Sequence, residues 1–424
     1  MPIPYFFDII GKNLVIKRSF KMKVAGIISE YNPFHKGHQY HIETTRKITG
    51  ADCIVAVMSG NFVQRGLPAI ADKYARAKAA VLGGADIVIE LPTVYATGSA
   101  EIFAEGAVRL VNAINSVDYL SFGSEAGSLD EFKKIADVLI DEPEEYRNIL
   151  QQHLKLGDSM PVSREKALTK YFNNDNITEI ISSPNNILSI EYIKALKKIN
   201  SGITPVTVAR VGNGYNDVEA TTEFPSATAI RNLYVNGNDN ISDTMPEAVY
   251  EYFNTLKGLF MPVFPDGCST LLNHALRLNS SKLDVFSDVD EKLANRIINT
   301  LTNGNIYSFT ELCDALKTKN YTYTRISRVL THILLNIRPE DITIPQYARI
   351  LACNETGRKF IREAKKTSLL PFLNDASDAK NVLSEAAKSM LEKDIYASDI
   401  YRLIVKETFG TVITDEFRHR PELI

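Results

Sequence analysis

Two histidines bracket a glycine in His35-Lys36-Gly37-His38, and a third, His41, stands one helical turn further on. The chain holds seven histidines in all, so this local concentration is the first pointer to chemistry. An imidazole can donate hydrogen bonds to an anion and take up charge near neutral pH. Three-residue spacing at a helix start turns His35 and His38 toward one ligand. Gly37 lacks a β-carbon, which lets a phosphate or a base approach the backbone closely. A helix N-terminus there would add free N–H groups and a partial positive charge. The chemistry expected is stabilisation of phosphate charge, including charge that develops during phosphoryl transfer. His41 fits a packed helix position equally well.

The histidines need a strand before them and a helix under them. From Lys23 to Ile42 the chain runs from an apolar, β-favouring stretch through Asn32-Pro33 into a helical pattern opening near Gly37. Further continuous apolar runs follow at Cys53 to Ser59, Ile87 to Leu91, Val117 to Phe122 and Pro205 to Ala209. Runs of this kind, beginning with Val24 to Ser29, are strands covered on both faces. Helical patterns lie between them at Lys73 to Leu82, Gly98 to Asn112 and Leu129 to Ile140, then at Asn186 to Lys198. Such alternation predicts an α/β fold with a doubly wound, Rossmann-like parallel sheet. Ligands of these sheets bind beyond the carboxyl ends of the strands, so the loops after the first, second and fourth strands carry the site.

Ser226 fits an N-cap for a helix through Ala227-Thr228-Ala229-Ile230-Arg231. From about residue 241 the strand signal disappears, and a mainly α-helical C-terminal domain is expected over 241–424. Residues 22–240 then form the nucleotide-type domain. Residues 1–21 do not fit the strand pattern and read as an extension or a misassigned start, with Met22 directly before the first strand.

Composition narrows the class. Forty-five percent hydrophobic residues can fill substantial cores. Charge is nearly balanced, 48 Lys and Arg against 51 Asp and Glu, so contact with nucleic acid needs a local patch. Cys53, Cys268, Cys313 and Cys353 are too scattered for a disulfide framework or a zinc site. No apolar run reaches the roughly 20 residues of a membrane span, and the apolar Ile3 to Ile10 lacks signal-peptide flanks. A cytoplasmic protein without membrane attachment is expected.

Other residues have two readings each. In Gln64-Arg65-Gly66, the arginine can take a carboxylate or phosphate bidentately, or simply close a surface loop. Lys73 and Arg76 read as solvated helix residues, with tRNA or phosphate contact as the alternative. Glu90 can orient a site group, while Pro92 ends its strand. Between Lys317 and Lys366 stand eleven basic residues (Lys317, Lys319, Arg325, Arg328, Arg338, Arg349, Arg358, Lys359, Arg362, Lys365 and Lys366) against Glu340, Asp341, Glu355 and Glu363. Tyr321 and Tyr323 interleave with them, a pattern suited to stacking on unpaired RNA bases beside Arg325 and Arg328. A solvated helix face with core tyrosines is the plainer alternative.

His35-Lys36-Gly37-His38 resembles the His-x-Gly-His signature of the nucleotidyltransferase superfamily, whose HUP-type domain binds ATP and transfers its adenylyl group. Its companion motif, Ile-Ser-Ser-Thr-x-x-Arg, is resembled by Ser226 to Arg231, with Phe224-Pro225 and Ala227 as departures. Closer still is a resemblance to the bacterial tRNA(Met) cytidine acetate ligase family. It rests on Gly26 to His38, Met58-Ser59-Gly60-Asn61-Phe62-Val63-Gln64-Arg65-Gly66, Gly84 to Pro92, Phe122-Gly123-Ser124-Glu125, Ser183 to Leu188 and Tyr321 to Arg328. It covers nearly everything from Met22 onward.

That resemblance implies acetate and ATP giving acetyl-adenylate, then acetyl transfer to N4 of the wobble cytidine of elongator tRNA(Met). It implies His35 and His38 as catalytic residues. The nucleotide cradle would be Ile28-Ser29-Glu30-Tyr31-Asn32-Pro33-Phe34-His35-Lys36-Gly37-His38-Gln39-Tyr40-His41, with Gly123, Asn186, Arg210, Ser226, Thr228 and Arg231. Gln64 and Arg65 are the acetate or phosphate candidates. Tyr321, Tyr323, Arg325 and Arg328 are the tRNA candidates. Magnesium is expected to arrive with ATP, without a metal cage of the protein's own. Two other classes stay open: a small-molecule adenylyltransferase of cofactor biosynthesis, and a non-catalytic nucleotide- or RNA-binding protein. Oligomeric state is open as well.

Overall fold

The computed structural model describes residues 22–125, 128–210, 225–237 and 241–424. The readings of residues 1–21 and of Phe224 lie outside the described residues.

An eight-stranded sheet organises the chain. Strands β1 (Val24–Ser29) and β2 (Cys53–Ser59) are followed by a small antiparallel hairpin of β3 (Phe62–Val63) and β4 (Leu67–Pro68). Then come β5 (Ile87–Leu91), β6 (Tyr119–Ser124) and β7 (Thr204–Ala209). The C-terminal half returns β8 (Ala348–Cys353), β9 (Phe372–Leu373) and β10 (Glu422–Leu423). Across the sheet the order is β10-β8-β5-β2-β1-β6-β7, with β9 beside β8.

The neighbours from β5 to β7 are parallel, and β1 pairs with β2 on one side and β6 on the other. From β1 the chain winds outward through β2 to β5, then crosses back to β6. The carboxyl ends of β1 and β6 therefore diverge at the switch point, where doubly wound sheets leave a crevice. Each of β2 and β5 is buried along its whole length, as continuous apolar runs require when helices cover both faces. The fourth strand begins at Tyr119, two residues later than its apolar run, because Asp118 turns its carboxylate back to accept Val24 N–H at 2.9 Å. Gly123 consequently sits inside the strand end.

The stretch beyond residue 241 is mainly helical, its last helix being the 25-residue Glu385–Phe409. The expectation that strands cease there fails, because β8 joins the main sheet antiparallel to β5, pairing Ile350 with Ile89. Arg349 interrupts the apolar run of this strand in the sequence, yet its side chain is fully buried. Its partners explain this. Arg349 pairs with Glu416 and lies 3.7 Å from Glu90, while Lys73 Nζ sits 2.7 Å from Glu90 Oε1 and 3.0 Å from Glu416 Oε1.

Lys73 and Arg76 are thus core residues and not the solvated pair expected. Arg76 donates to the carbonyls of Ala71 at 2.9 Å, Glu30 at 2.5 Å and Ser59 at 3.1 Å, and also to that of Gly60. It fastens the carboxyl ends of β1 and β2 together. A charge buried without such partners would be prohibitively costly, so removing one member is worse than replacing the set.

Burial pushes the Glu90 carboxyl up, against the pull of Lys73. Lys73→Met should lower unfolding stability by about 3–5 kcal/mol, since it strands two buried carboxylates beside Arg349. Urea unfolding at constant m-value checks this, and a loss below about 1 kcal/mol would contradict the pairing.

Candidate functional site

His35 closes the loop after β1 and is the N-cap of the helix Lys36–Thr49. Its Nδ1 accepts Gly37 N–H at 3.1 Å, and His38 Nδ1 accepts the His35 backbone N–H at 3.2 Å. The arrangement is a reciprocal capping box built from imidazoles instead of the usual serine and glutamate. Two consequences follow. The helix end spends backbone donors on its own caps, so it is less open to phosphate than the sequence suggested. Because both Nδ1 atoms accept, both rings must carry their proton on Nε2.

The two rings lie face to face with centroids 3.7 Å apart and planes 30° from parallel. Tyr31 packs edge-on against His38 at 4.9 Å, holding that ring from behind. Phe34 is buried with its ring over Gly83, where a β-carbon would come within 2.2 Å of it. It anchors the loop without facing the cavity.

The electrostatics keep all three histidines neutral. Burial first, then the charges of Arg210 and Arg231, push His35 down to about 3. Burial, then His35 and Arg210, hold His38 well below its usual value. His41 falls to about 4 through burial and Arg210. Arg210 acts on each of them and lines the same crevice. His41 Nε2 is 3.0 Å from Ser121 Oγ, itself 2.7 Å from Thr45 Oγ1. His41 is therefore tethered to β6.

A single crevice at the switch point collects most of the expected residues. Ile28, Ser29, Glu30, Tyr31, Asn32, His35, Gly37, His38, Tyr40, His41, Gly123, Arg210, Ser226, Thr228 and Arg231 all line it, as do Gln64 and Arg65. Pro33, Phe34, Lys36, Gln39 and Asn186 do not. Asn186 is buried and accepts Glu125 N–H at 3.0 Å. Its neighbour Asn185, missed in the sequence, lines the crevice instead and donates to Glu125 Oε1 at 2.5 Å. Phe103, Phe122, Leu188 and Tyr192 were missed too. Apolar residues that floor a cavity carry the same signature as core residues.

The helix Ala227–Val235 reaches this crevice through its N-terminus, capped by Ser226 Oγ accepting Ala229 N–H at 3.1 Å. Arg231 donates to Asn32 O at 2.7 Å and Thr228 Oγ1 at 3.0 Å, tying that helix to the histidine loop. Gln64 enters from the hairpin, its backbone N–H held by Glu30 Oε1 at 3.0 Å.

The residues considered for RNA lie elsewhere. Tyr321 donates to Asp290 Oδ1 at 2.9 Å, Arg325 pairs with Asp290 at 3.1 Å and stacks 4.9 Å over the Tyr321 ring, and Arg328 pairs with Asp288 at 3.5 Å. Tyr323 is exposed. Arg349 leaves the basic count altogether, being buried, whereas Arg358, Lys359, Arg362, Lys365 and Lys366 are exposed. Among the described residues no group of three or more His, Cys, Asp or Glu is placed to hold a metal ion. None of their helices is long and apolar enough to cross a membrane.

Residues 22–413 match the family model described as HIGH Nucleotidyl Transferase. A tRNA(Met) cytidine acetate ligase of Thermoanaerobacter sp. (strain X514) is 44% identical over 395 residues, covering 91% of this chain and 96% of that one. One from Acetivibrio thermocellus is 42% identical over 402 residues, with 91% and 96% covered. Among solved structures, Thermotoga maritima TmcAL in its apo form superposes with a TM-score of 0.89 at 32% identity, covering 95% of this chain and all 100% of that one. The same protein bound with alpha-thio ATP gives 0.87.

The depressed imidazoles have a pH signature. The unfolded chain takes up these protons near pH 6.5 and the folded chain does not, so their contribution to stability is present above that pH and is lost as pH falls toward about 3. By NMR, the ring signals of His35, His38 and His41 should stay flat down to about pH 5 in the unliganded protein. A midpoint near 6.5 for any of them would overturn its placement.

Proposed function

The chain belongs to the HIGH Nucleotidyl Transferase family, among its tRNA(Met) cytidine acetate ligases, and on that premise we propose how its residues carry the reaction. It is an ATP-dependent ligase. One carboxylate oxygen of acetate attacks the α-phosphorus of ATP, the bond to the bridging oxygen breaks, and pyrophosphate leaves. The N4 amine of the wobble cytidine of elongator tRNA(Met) then attacks the acetyl carbonyl carbon of acetyl-adenylate. AMP departs, and the amine loses its proton.

The observation that carries this reading is the pair of neutral imidazoles with fixed Nε2–H donors in a crevice that also receives Arg210 and Arg231. Preorganised donors of this kind need no reorientation as charge moves onto the pyrophosphate. Arriving phosphates raise the pKa of both rings, so His35 and His38 can become cationic when the nucleotide binds. Arg231 and the N-terminus behind Ser226 and Thr228 suit the outer phosphates. Gly123, with no side chain, leaves room for the nucleoside at the end of β6. Asn186 supports that wall through Glu125. Magnesium would arrive with ATP, its remaining ligands being phosphate oxygens and water.

Gln64 and Arg65 form the opposite wall and would take acetate, the guanidinium matching a carboxylate. Tyr321, Tyr323, Arg325 and Arg328 remain RNA candidates, although the two arginines share their charge with Asp290 and Asp288. The exposed cations of the helix Glu355–Ala364 add to that surface. Cytoplasmic location follows from the tRNA substrate and belongs to this proposal.

Pyrophosphate–ATP isotope exchange distinguishes this from a small-molecule adenylyltransferase. Exchange should require acetate, and His35→Ala or His38→Ala should lower it at least about 100-fold by removing one preorganised donor. Acetate-independent exchange driven by a phosphorylated cofactor precursor would refute the ligase, and a near wild-type variant would refute that histidine's role.

A further inference from the structure

The acetate wall is held in part from far along the chain. The turn that presents Gln64 and Arg65 closes at Gly66, whose carbonyl accepts two hydroxyls of the distant helix Tyr323–Leu334. Ser327 Oγ donates to it at 2.8 Å and Thr331 Oγ1 at 2.7 Å. Both side chains are buried. Gly66 has φ +69 and lies so close to this helix that a β-carbon would stand 2.4 Å from Arg328 Cα, backbone that cannot yield.

One turn on, His332 lies between two carbonyls, with Nδ1 3.0 Å from Ser287 O and Nε2 3.0 Å from Thr97 O. The neighbouring Gly98 carbonyl accepts Gln64 Nε2 at 3.3 Å. One helix thus grips two segments that orient Gln64, its own turn directly and the 97–98 segment through His332, while Glu30 Oε1 holds its backbone N–H from the loop after β1. The nucleotide side of the crevice has different supports, namely the imidazole caps, Arg231 and Arg76.

Resting on the reading of Gln64 and Arg65 as the acetate wall, we propose that Ser327 and Thr331 are positioning residues for acetate. Their hydroxyls set the Gly66 carbonyl, and so fix where the Gln64–Arg65 turn meets the carboxylate, without touching substrate themselves. Thr331→Val keeps the shape and removes the donor, whereas Thr331→Ser keeps the donor and removes the methyl.

In acetate-dependent exchange, Ser327→Ala combined with Thr331→Val should raise the KM for acetate about tenfold while the KM for ATP stays within about twofold, the size expected from losing hydrogen bonds to one carbonyl. Ser327→Ala with Thr331→Ser should recover most of that loss. If the double variant does not fold, Thr331→Val against Thr331→Ser reads the same split. Equal increases for both substrates, or none for either, overturn the inference. Arg65→Ala separates the two layers. If it leaves the KM for acetate unmoved, the acetate-wall reading falls and this inference with it; if it raises that KM and the clamp variants do not, only the clamp falls.

Discussion

Two imidazoles that accept hydrogen bonds from the backbone of their own helix start set the polarity of the crevice. With Nδ1 of His35 and His38 committed to Gly37 N–H and His35 N–H, the protons have one place left, Nε2. Burial and Arg210 keep the rings neutral, so each offers a single directed donor until an anion arrives. The same two contacts cap the helix, fix the tautomers and hold the rings face to face. Much of the remaining architecture serves to keep these rings in place: Tyr31 behind them, Phe34 locked over Gly83, and Arg231 fastening a second helix to Asn32.

That local order depends on contacts far away in sequence. Arg76 joins the ends of β1 and β2 through the carbonyls of Glu30 and Ser59. Lys73 from the same helix is neutralised by Glu90 on β5 and by Glu416 near the end of the chain. Arg349 on β8 completes the set, so the C-terminal half contributes a strand and a counter-charge to the sheet on which the site is built. The helix Tyr323–Leu334 similarly reaches the hairpin at Gly66. The helical half is therefore part of the crevice's support.

The residues that meet in the crevice around His35 and Ser226 were readable because backbone constraints leave residue signatures: a glycine between histidines after an apolar run, and a serine before a helix. The parallel sheet from β1 to β7 was readable for the same reason, since strands covered on both faces are continuously apolar. The strand β8 was hidden by Arg349, whose burial makes sense only beside Glu90 and Glu416, residues that sequence spacing cannot bring together. The same blindness made Lys73 and Arg76 look solvated. Asn186 was the candidate, yet it accepts Glu125 N–H outside the crevice lining while its unpredicted neighbour Asn185 lines it, a difference of one step in helix phase. The floor of Phe103, Phe122, Leu188 and Tyr192 was unreadable in principle, since burial against a ligand and burial against the core select the same residues.

The central claim is that this crevice activates acetate with ATP and delivers the acetyl group to an RNA base. Its most direct test is incubation of the purified protein with tRNA(Met), ATP and acetate, followed by mass analysis of the wobble nucleoside. The account predicts N4-acetylcytidine only when ATP and acetate are both present, with AMP and pyrophosphate formed alongside. An unmodified cytidine under those conditions, or acetylation that proceeds without ATP from another acetyl donor, would contradict it.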